Sequence, residues 1–266
     1  MQDDPEPSPG RNPHHVSMKS KPPLLQLACL VASTLIISSC GESGGATPNS
    51  VSETGKDVSQ AGSDMVEFLP QYPPAEIIGT PVPIDDIPNL EKFNPNAAPT
   101  KPPAFNLPRD AKNVALGKPV SGSDLEPLLG GLELLTDGDA QTGDGRYAEF
   151  APGHQWVQID LGQKYDVWKL LVWHLHRARA VYFDVNIQVS NVPKFETGVT
   201  TLYNNDHDDS SKLGKGEDMA YVETHHGRLI DGKGTNARYV RLYSNGNTSN
   251  EMNHYIEVQV YGTPPK

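Results

Sequence analysis

The stretch FDVNIQVS, residues 183–190, determines the fold class of this chain. Apolar and polar side chains alternate strictly along it, and the apolar set is Phe183, Val185, Ile187 and Val189. A period of two, in residues rich in β-branched and aromatic side chains, is typical of a strand with one face in a core. The stretch therefore predicts a β-strand.

Similar strand signals recur through the C-terminal part of the chain. They are WVQIDLG (156–162), VWKLLVW (167–173), ARYVRLY (237–243) and YIEVQVYG (255–262), and turn-rich loops separate them. No long stretch carries the helical period. A segment of about 150 residues is long enough to bury a core, and two packed antiparallel sheets are the expected arrangement.

The order of these motifs resembles the discoidin family, the coagulation-factor C-type domains, which are similar to family 32 carbohydrate-binding modules. Besides the strand at 183–190 and the four other strand motifs, AKNVALGKPVSGS (111–123) and LLTDGDAQTGD (134–144) carry the resemblance. It covers residues 110–263 and implies an all-β, galactose-binding-like jelly-roll sandwich. The chain lacks the cysteine pair that ties the domain ends in animal members, and it inserts an unusual loop at 203–236.

The beginning of the chain predicts a secretory signal over residues 1–40. Two lysines precede an apolar run from Leu24 to Ile37, which is short for a membrane span. The end of that run, Ile37-Ser38-Ser39-Cys40, resembles the bacterial lipobox, whose cysteine becomes the lipid-modified first residue after cleavage. An ordinary signal peptide or a buried core helix are the alternatives.

Residues 1–17 are acidic and rich in proline, which suits a signal poorly, so Met18 is the expected true start. The mature protein is then expected to be lipid-anchored in the bacterial cell envelope. Gly41 after the cysteine resembles lipoproteins sorted to an outer membrane, and either a periplasmic or a surface-exposed face remains open.

Residues 41–109 are predicted to be a disordered linker rich in proline, glycine and serine. Prolines recur too often there for a helix or a central strand, and few apolar residues are present in the first half. A semi-rigid stalk that lifts a domain off the membrane is the expected role. A small strand-poor domain is the alternative.

The charge of the chain disfavours nucleic acid as a partner. The formal net charge is -11, and residues 1–40 contain equal numbers of acidic and basic residues, so the whole excess belongs to the mature part. Nucleic-acid binding relies on Lys and Arg that neutralise phosphates. Bound cations and neutral or cationic partners suit an acidic surface better.

The turn Asp137-Gly138-Asp139, with Thr142 and Glu257, predicts a calcium site. Ca²⁺ takes six to eight hard oxygen ligands, and a tight acidic turn supplies several. The resemblance implies a structural ion with these ligands: Leu134 O, the Asp137 carboxylate, Asp139 O, Thr142 O and Oγ, Ile256 O and the Glu257 carboxylate. An Asp-Gly turn without an ion is the alternative.

The segment WHLHRARAVYF (173–183) is the predicted ligand site. Arginine offers paired donors that match vicinal hydroxyls, and histidine accepts or donates. The resemblance implies glycan binding by His174, His176, Arg177 and Arg179, and the position of Tyr147 in a loop makes it the expected stacking platform. Two alternatives stay open: the histidines pack in the interior, or they hold zinc with a third ligand among His207, His225 and His226.

The acidic loop NNDHDDSS (204–211) is either solvated, a second cation site or a wall of the binding face. No nucleophile with a partnered base, phosphate-binding glycine loop or HExxH motif is present, so catalysis is not expected. We therefore predict a non-catalytic, surface-anchored module that binds a glycan or another cell-surface polymer. The alternatives are an adhesion or structural lipoprotein with a protein partner, and a metal-dependent enzyme built on the histidine-rich loop.

Overall fold

The computed structural model describes residues 64–78, 84, 86–94 and 101–266, all of which lie within one unit of the chain, residues 59–266. Regular structure in these residues consists of eleven strands and two short 3₁₀ helices, Leu132–Thr136 and His176–Ala178. None of the helices in this part of the chain has the length and apolar character needed to cross a membrane. The all-β prediction is therefore confirmed.

The eleven strands are numbered in the order in which they occur along the chain. Their bounds are β1 Met65–Phe68, β2 Phe105–Pro108, β3 Lys112–Asn113, β4 Val120–Gly122, β5 Ala148–Phe150, β6 Gln155–Trp173, β7 Asn186–Ser190, β8 Thr200–Asn204, β9 Arg228–Ser244, β10 Asn253–Tyr255 and β11 Glu257–Thr263.

The long antiparallel pair of β6 and β9 builds the sandwich. Their pairing runs from Gln155 opposite Ser244 to Val172 opposite Arg228. The register of the pairing shifts twice, within residues 160–165 and 167–169 of β6. The first half of β6 also pairs with β4, and the matching half of β9 pairs with β7, which pairs with β8. The second half of β6 pairs with β11, and β11 pairs with β3. Apolar side chains from both halves share one core, so the strands form the predicted β-sandwich.

Residues 186–190 of the stretch that indicated the fold class form β7, and the apolar set of the whole stretch is mostly buried. Val185, Ile187 and Val189 belong to the core, as the alternation predicts. Phe183 does not: its side chain is 39% exposed. Asp184 has a φ of 51°, in the left-handed region, so the extended backbone and its alternation begin only after this residue.

The predicted disorder of residues 41–109 is wrong where the structure describes this segment. Strand β1 pairs with β2 in an antiparallel ladder, from Met65 opposite Pro108 to Phe68 opposite Phe105. The part of the sheet that contains VWKLLVW (167–173) explains why β1 and β2 pack against the domain. Its side chains are apolar on both faces, with Leu170 and Val172 in the sandwich core and Leu171 and Trp173 on the opposite face.

The ladder of β1 and β2 covers that second apolar face. Phe105 and Leu107 are buried there with Trp173, Ile256 and Tyr261, while Phe68 and Tyr72 pack beside them. The folded domain therefore begins before residue 110. The remainder of 41–109 and the predicted signal segment, including Met18 and Cys40, lie outside the described residues.

A second part of the predicted linker also packs on the domain. Ile84, Ile87, Leu90 and Phe93 cover a small buried cluster of Val181, Ala220 and Val222. Leu90 forms a parallel bridge with Ala220, and Glu91 pairs with Arg228 at 2.7 Å. Proline-rich sequence is compatible with this arrangement, because an extended segment along a surface needs few ladder hydrogen bonds.

Candidate functional site

The acidic turn and Glu257 meet at one place in the fold. Asp137 is the C-cap of the 3₁₀ helix Leu132–Thr136, and Gly138 after it adopts a φ of 89°. The Gly138 N–H then donates to Glu257 Oε2 at 3.2 Å, although 119 residues separate the two. Glu257 opens β11 opposite Trp173 and is fully buried. The turn thus lies directly against a buried carboxylate.

The electrostatics of this place fit a bound cation. Glu257 Oε1 is buried and has no hydrogen-bond partner among the described residues. Burial raises the pKa of Glu257 to about 8; the Gly138 N–H opposes this effect and the negative Asp137 adds to it. Burial also raises the pKa of Asp137, against the attraction of Arg146. A cation between the two carboxylates would satisfy the unpartnered oxygen and remove their repulsion.

The other predicted calcium ligands lie on the same turn or next to Glu257. The Asp139 carboxylate pairs with Arg146, which leaves only its backbone oxygen as a ligand. Thr142 is buried, and its hydroxyl donates to Glu76 Oε2. Leu134 is half-buried within the 3₁₀ helix, and Ile256 is fully buried. Sequence reasoning missed Glu76, because this residue lies in the segment taken for a linker.

His174 lies in the interior and does not reach a surface ligand. Its side chain is fully buried, and Nδ1 is 2.6 Å from Glu223 Oε1. Its ring stacks on Tyr182, with centroids 4.3 Å apart. The Tyr182 hydroxyl is in turn 2.8 Å from His254 Nδ1. The predicted glycan contact of His174 is therefore wrong, and the packing interpretation describes it correctly.

His176 and Tyr147 are also buried, at 2% and 7% exposure. The Arg177 guanidinium lies over the Tyr147 ring, 5.5 Å from its centroid, and pairs with Asp144 at 3.2 Å. Tyr147 is consequently not an open stacking platform. Arg179 lies over Phe93, 5.9 Å from the ring centroid. The two arginines are half-buried, and they are the only predicted glycan contacts that keep accessible side chains.

A polar groove that the sequence did not reveal lies beside this loop. We call it the amide groove; its volume is 490 Å³ and its lining is Pro152, Gly153, Phe183 and residues 245–251. Asn247 organises the groove from within: its amide donates to Asn250 Oδ1 and Met252 O, and its Oδ1 accepts the Ser249 N–H. The run SNGNTSN, dense in turn-forming residues and amides, was the available signal.

The acidic loop is not merely a solvated turn. Carboxylate oxygens of Asp184, Asp206 and Asp208 lie within 4.8 Å of one another. Asp206 is fully buried and accepts N–H groups of Ser210 and Ser211 at 3.1 and 2.9 Å. Although burial raises the pKa of Asp206, the hydrogen bonds from the two serines hold it below the ordinary value. The loop is therefore internally ordered around Asp206.

No protein-family model matches the chain, and no curated protein matches it. Among solved structures, it is similar to a family 89 glycoside hydrolase from Clostridium perfringens, at 20% identity and a TM-score of 0.42 over 57% of this chain. The chain covers 14% of the length of that hydrolase. It is also similar to chitosan-binding module 1 of a chitosanase/glucanase from Paenibacillus sp. IK-5, at 23% identity and a TM-score of 0.39, over 57% of this chain and 99% of that one. A third similar structure is the CBM32 of AlyQ in complex with 4,5-unsaturated mannuronic acid, at 22% identity and a TM-score of 0.36, over 53% of this chain and 92% of that one.

Proposed function

We propose that the chain is a non-catalytic carbohydrate-binding module whose ligand lies in the amide groove. One observation carries this proposal: an exposed aromatic ring, Phe183, stands on the wall of a polar groove of 490 Å³. Sugars present apolar C–H faces and a rim of hydroxyls, so an aromatic face beside directional donors and acceptors complements them.

The rim of the groove supplies the polar contacts. Ser249, Asn250 and Glu251 are exposed there, and together they offer hydroxyl, amide and carboxylate groups. Asn247 and the Gly246 N–H, which donates to Asn253 Oδ1 at 2.8 Å, hold the loop in one conformation. A loop that is already ordered loses little entropy on binding, which favours affinity for a weakly held sugar.

Replacement of Phe183 by alanine is expected to weaken glycan binding about three- to sevenfold. Burying a whole phenylalanine side chain contributes about 1.5–3 kcal/mol, and only the 39% of this side chain that is exposed remains for a ligand to cover, which leaves about 0.6–1.2 kcal/mol at tenfold in affinity for each 1.4 kcal/mol. The measurement is titration calorimetry of wild type and variants against a broad panel of neutral and acidic oligosaccharides. Phe195→Ala is the matched control, because Phe195 packs on Arg241 instead.

Arg177→Ala distinguishes the amide groove from the arginine loop. If Arg177→Ala abolishes binding while Phe183→Ala binds like wild type, the glycan site is at Arg177 and Arg179 and the groove assignment is wrong. If wild type binds no member of the panel, carbohydrate binding is refuted and the adhesion lipoprotein with a protein partner becomes the leading function.

The proposal includes a structural calcium ion at the turn 137–139. The Asp137 and Glu257 carboxylates and the backbone oxygens of the turn would hold it, and the unpartnered Glu257 Oε1 supports this assignment. The ion would tie the turn to the start of β11 and so stabilise one end of the sandwich.

The proposal also includes anchoring of the chain to a bacterial membrane through Cys40, a residue outside the described part. Lipid chains on the cysteine and on its amino group exceed the single acyl chain that binds only marginally. We expect Cys40→Ser to move the protein from the detergent phase to the aqueous phase of a phase separation, and mass spectrometry to find lipid on wild type alone. A wild-type protein without lipid would contradict the anchor.

A further inference from the structure

A small cavity beside the N-terminal segment brings three histidines together. Its volume is 160 Å³, and its wall includes Glu76, His176, His225 and His226. We call it the histidine cavity. It is separate from the amide groove, which shares none of these lining residues.

His176 carries an unpartnered nitrogen at this cavity. Its side chain is 2% exposed, and Nε2 lies 3.2 Å from the Ala140 carbonyl oxygen. Because a carbonyl only accepts, Nε2 must carry the proton, which leaves a lone pair on Nδ1. Nδ1 is buried and has no hydrogen-bond partner among the described residues. A histidine that donates one N–H to a carbonyl and keeps the other nitrogen free has the form of a metal ligand.

The second and third imidazoles belong to His225 and His226, which lie in the turn that precedes β9. The rings of His225 and His226 lie 3.9 Å apart between centroids, and His226 meets Tyr72 edge-on at 4.8 Å. The backbone here is held in place, because Trp173 Nε1 donates to the His225 carbonyl at 3.0 Å. Both side chains are half-buried, so they border the cavity without being locked in the core.

Glu76 adds a carboxylate from the N-terminal segment. Its Oε2 accepts a hydrogen bond from the Thr142 hydroxyl, and Glu76 also lines the histidine cavity. Three imidazole nitrogens and one carboxylate oxygen form a donor set that suits a four-coordinate zinc ion better than calcium or magnesium.

We infer that the histidine cavity binds a divalent transition metal ion, for which zinc is the best fit, through His176 Nδ1, His225, His226 and Glu76. Binding requires side-chain rotation: among the described residues, only Asp184, Asp206 and Asp208 bring three metal-ligating atoms within 4.8 Å of one another. The half-buried His225 and His226 rings turn toward His176 Nδ1 when the ion enters. The ion then joins the segment around Glu76 to the turn 224–226.

The test is titration of the full chain with zinc, and with cobalt(II) as a spectroscopic probe. A Cys29→Ser/Cys40→Ser background removes competing thiolates, and excess calcium occupies oxygen-rich sites. We expect one equivalent of zinc to bind and to displace cobalt(II), whose visible absorption reports tetrahedral nitrogen ligation. His176→Ala, His225→Ala and His226→Ala should each weaken zinc binding at least about tenfold, since removing even a group that only hydrogen-bonds to a metal ligand produces a loss of that size.

Matched controls separate this site from others. His154→Ala removes an exposed histidine that stacks on Tyr243, and Asp206→Asn alters the acidic loop. Both should bind zinc like wild type, as should Phe183→Ala, so failure of the glycan proposal leaves this result intact. His225→Ala and His226→Ala keep the test valid if the buried His176→Ala does not fold. Wild type that binds no zinc, or folded histidine variants that bind it like wild type, would overturn the inference.

Discussion

Removal of calcium is expected to lower the free energy of unfolding by about 2.7 kcal/mol when the ion had been present at a hundred times its dissociation constant. The expected drop in melting temperature is about 5–10 °C for a domain of this size. The physical reason is the buried Glu257 carboxylate, whose Oε1 has no partner among the described residues and whose charge faces Asp137. Scanning calorimetry in calcium and in chelator measures the difference.

Glu257→Gln is expected to change the melting temperature in opposite directions in calcium and in chelator. In calcium the variant should melt below wild type, because an amide is a poorer ligand than a carboxylate. In chelator above pH 8 it should melt above wild type, because the variant has no charge to bury at this position. Glu196→Gln is the matched control, because the exposed Glu196 carboxylate lies beside Lys194 instead, and this variant should respond to calcium like wild type. Melting curves of wild type that are identical in calcium and chelator would contradict the calcium site.

The pH dependence in chelator follows from the pKa of Glu257. Burial raises this pKa from 4.5 to about 8, so the folded state holds the proton more tightly than the unfolded state does. The resulting stability is present below pH 4.5 and is lost as pH rises through about 8. Wild type should therefore lose stability across this range relative to Glu257→Gln. Parallel pH profiles of the two proteins would show that Glu257 ionises normally.

Phe105→Ala is expected to destabilise the domain by about 3–5 kcal/mol, the usual loss for a buried phenylalanine. Phe105 lies in the segment that the sequence assigned to a linker, yet its side chain is only 7% exposed. Its ring contacts Phe68 and Tyr261, with centroids 5.5 and 5.7 Å apart. Removing it opens a cavity over the apolar face that contains Trp173.

Urea unfolding followed by circular dichroism measures this effect. Asn106→Ala is the matched control, because the neighbouring side chain on β2 is exposed and its loss should change stability by no more than about 0.5 kcal/mol. If Phe105→Ala unfolds at the same urea concentration as Asn106→Ala, the segment does not belong to the folded domain and the linker interpretation is restored.

The strands could be predicted from the sequence because their signals are local. Alternation in residues 183–190 and the apolar run VWKLLVW reflect which side chains face a core, and each is readable within eight residues. The acidic turn was also recognisable, since Asp-Gly chemistry depends on neighbouring residues only. Interior packing, which is correct for His174, could be stated only as one alternative beside zinc binding with a third ligand among His207, His225 and His226, which stays a prediction.

The choice between those alternatives depended on contacts between distant residues. His174 is buried because Glu223, 49 residues away, pairs with it inside the core. Phe183 is exposed because a left-handed Asp184 interrupts the alternation just before β7. Residues 65–68 became a strand because the outer face of the β6–β11 sheet is apolar and needs a cover. By itself, the sequence determined the all-β class, the main strands and the acidic turn. Only the tertiary structure decided which polar side chains reach the surface, because burial depends on the residues that pack from elsewhere in the chain.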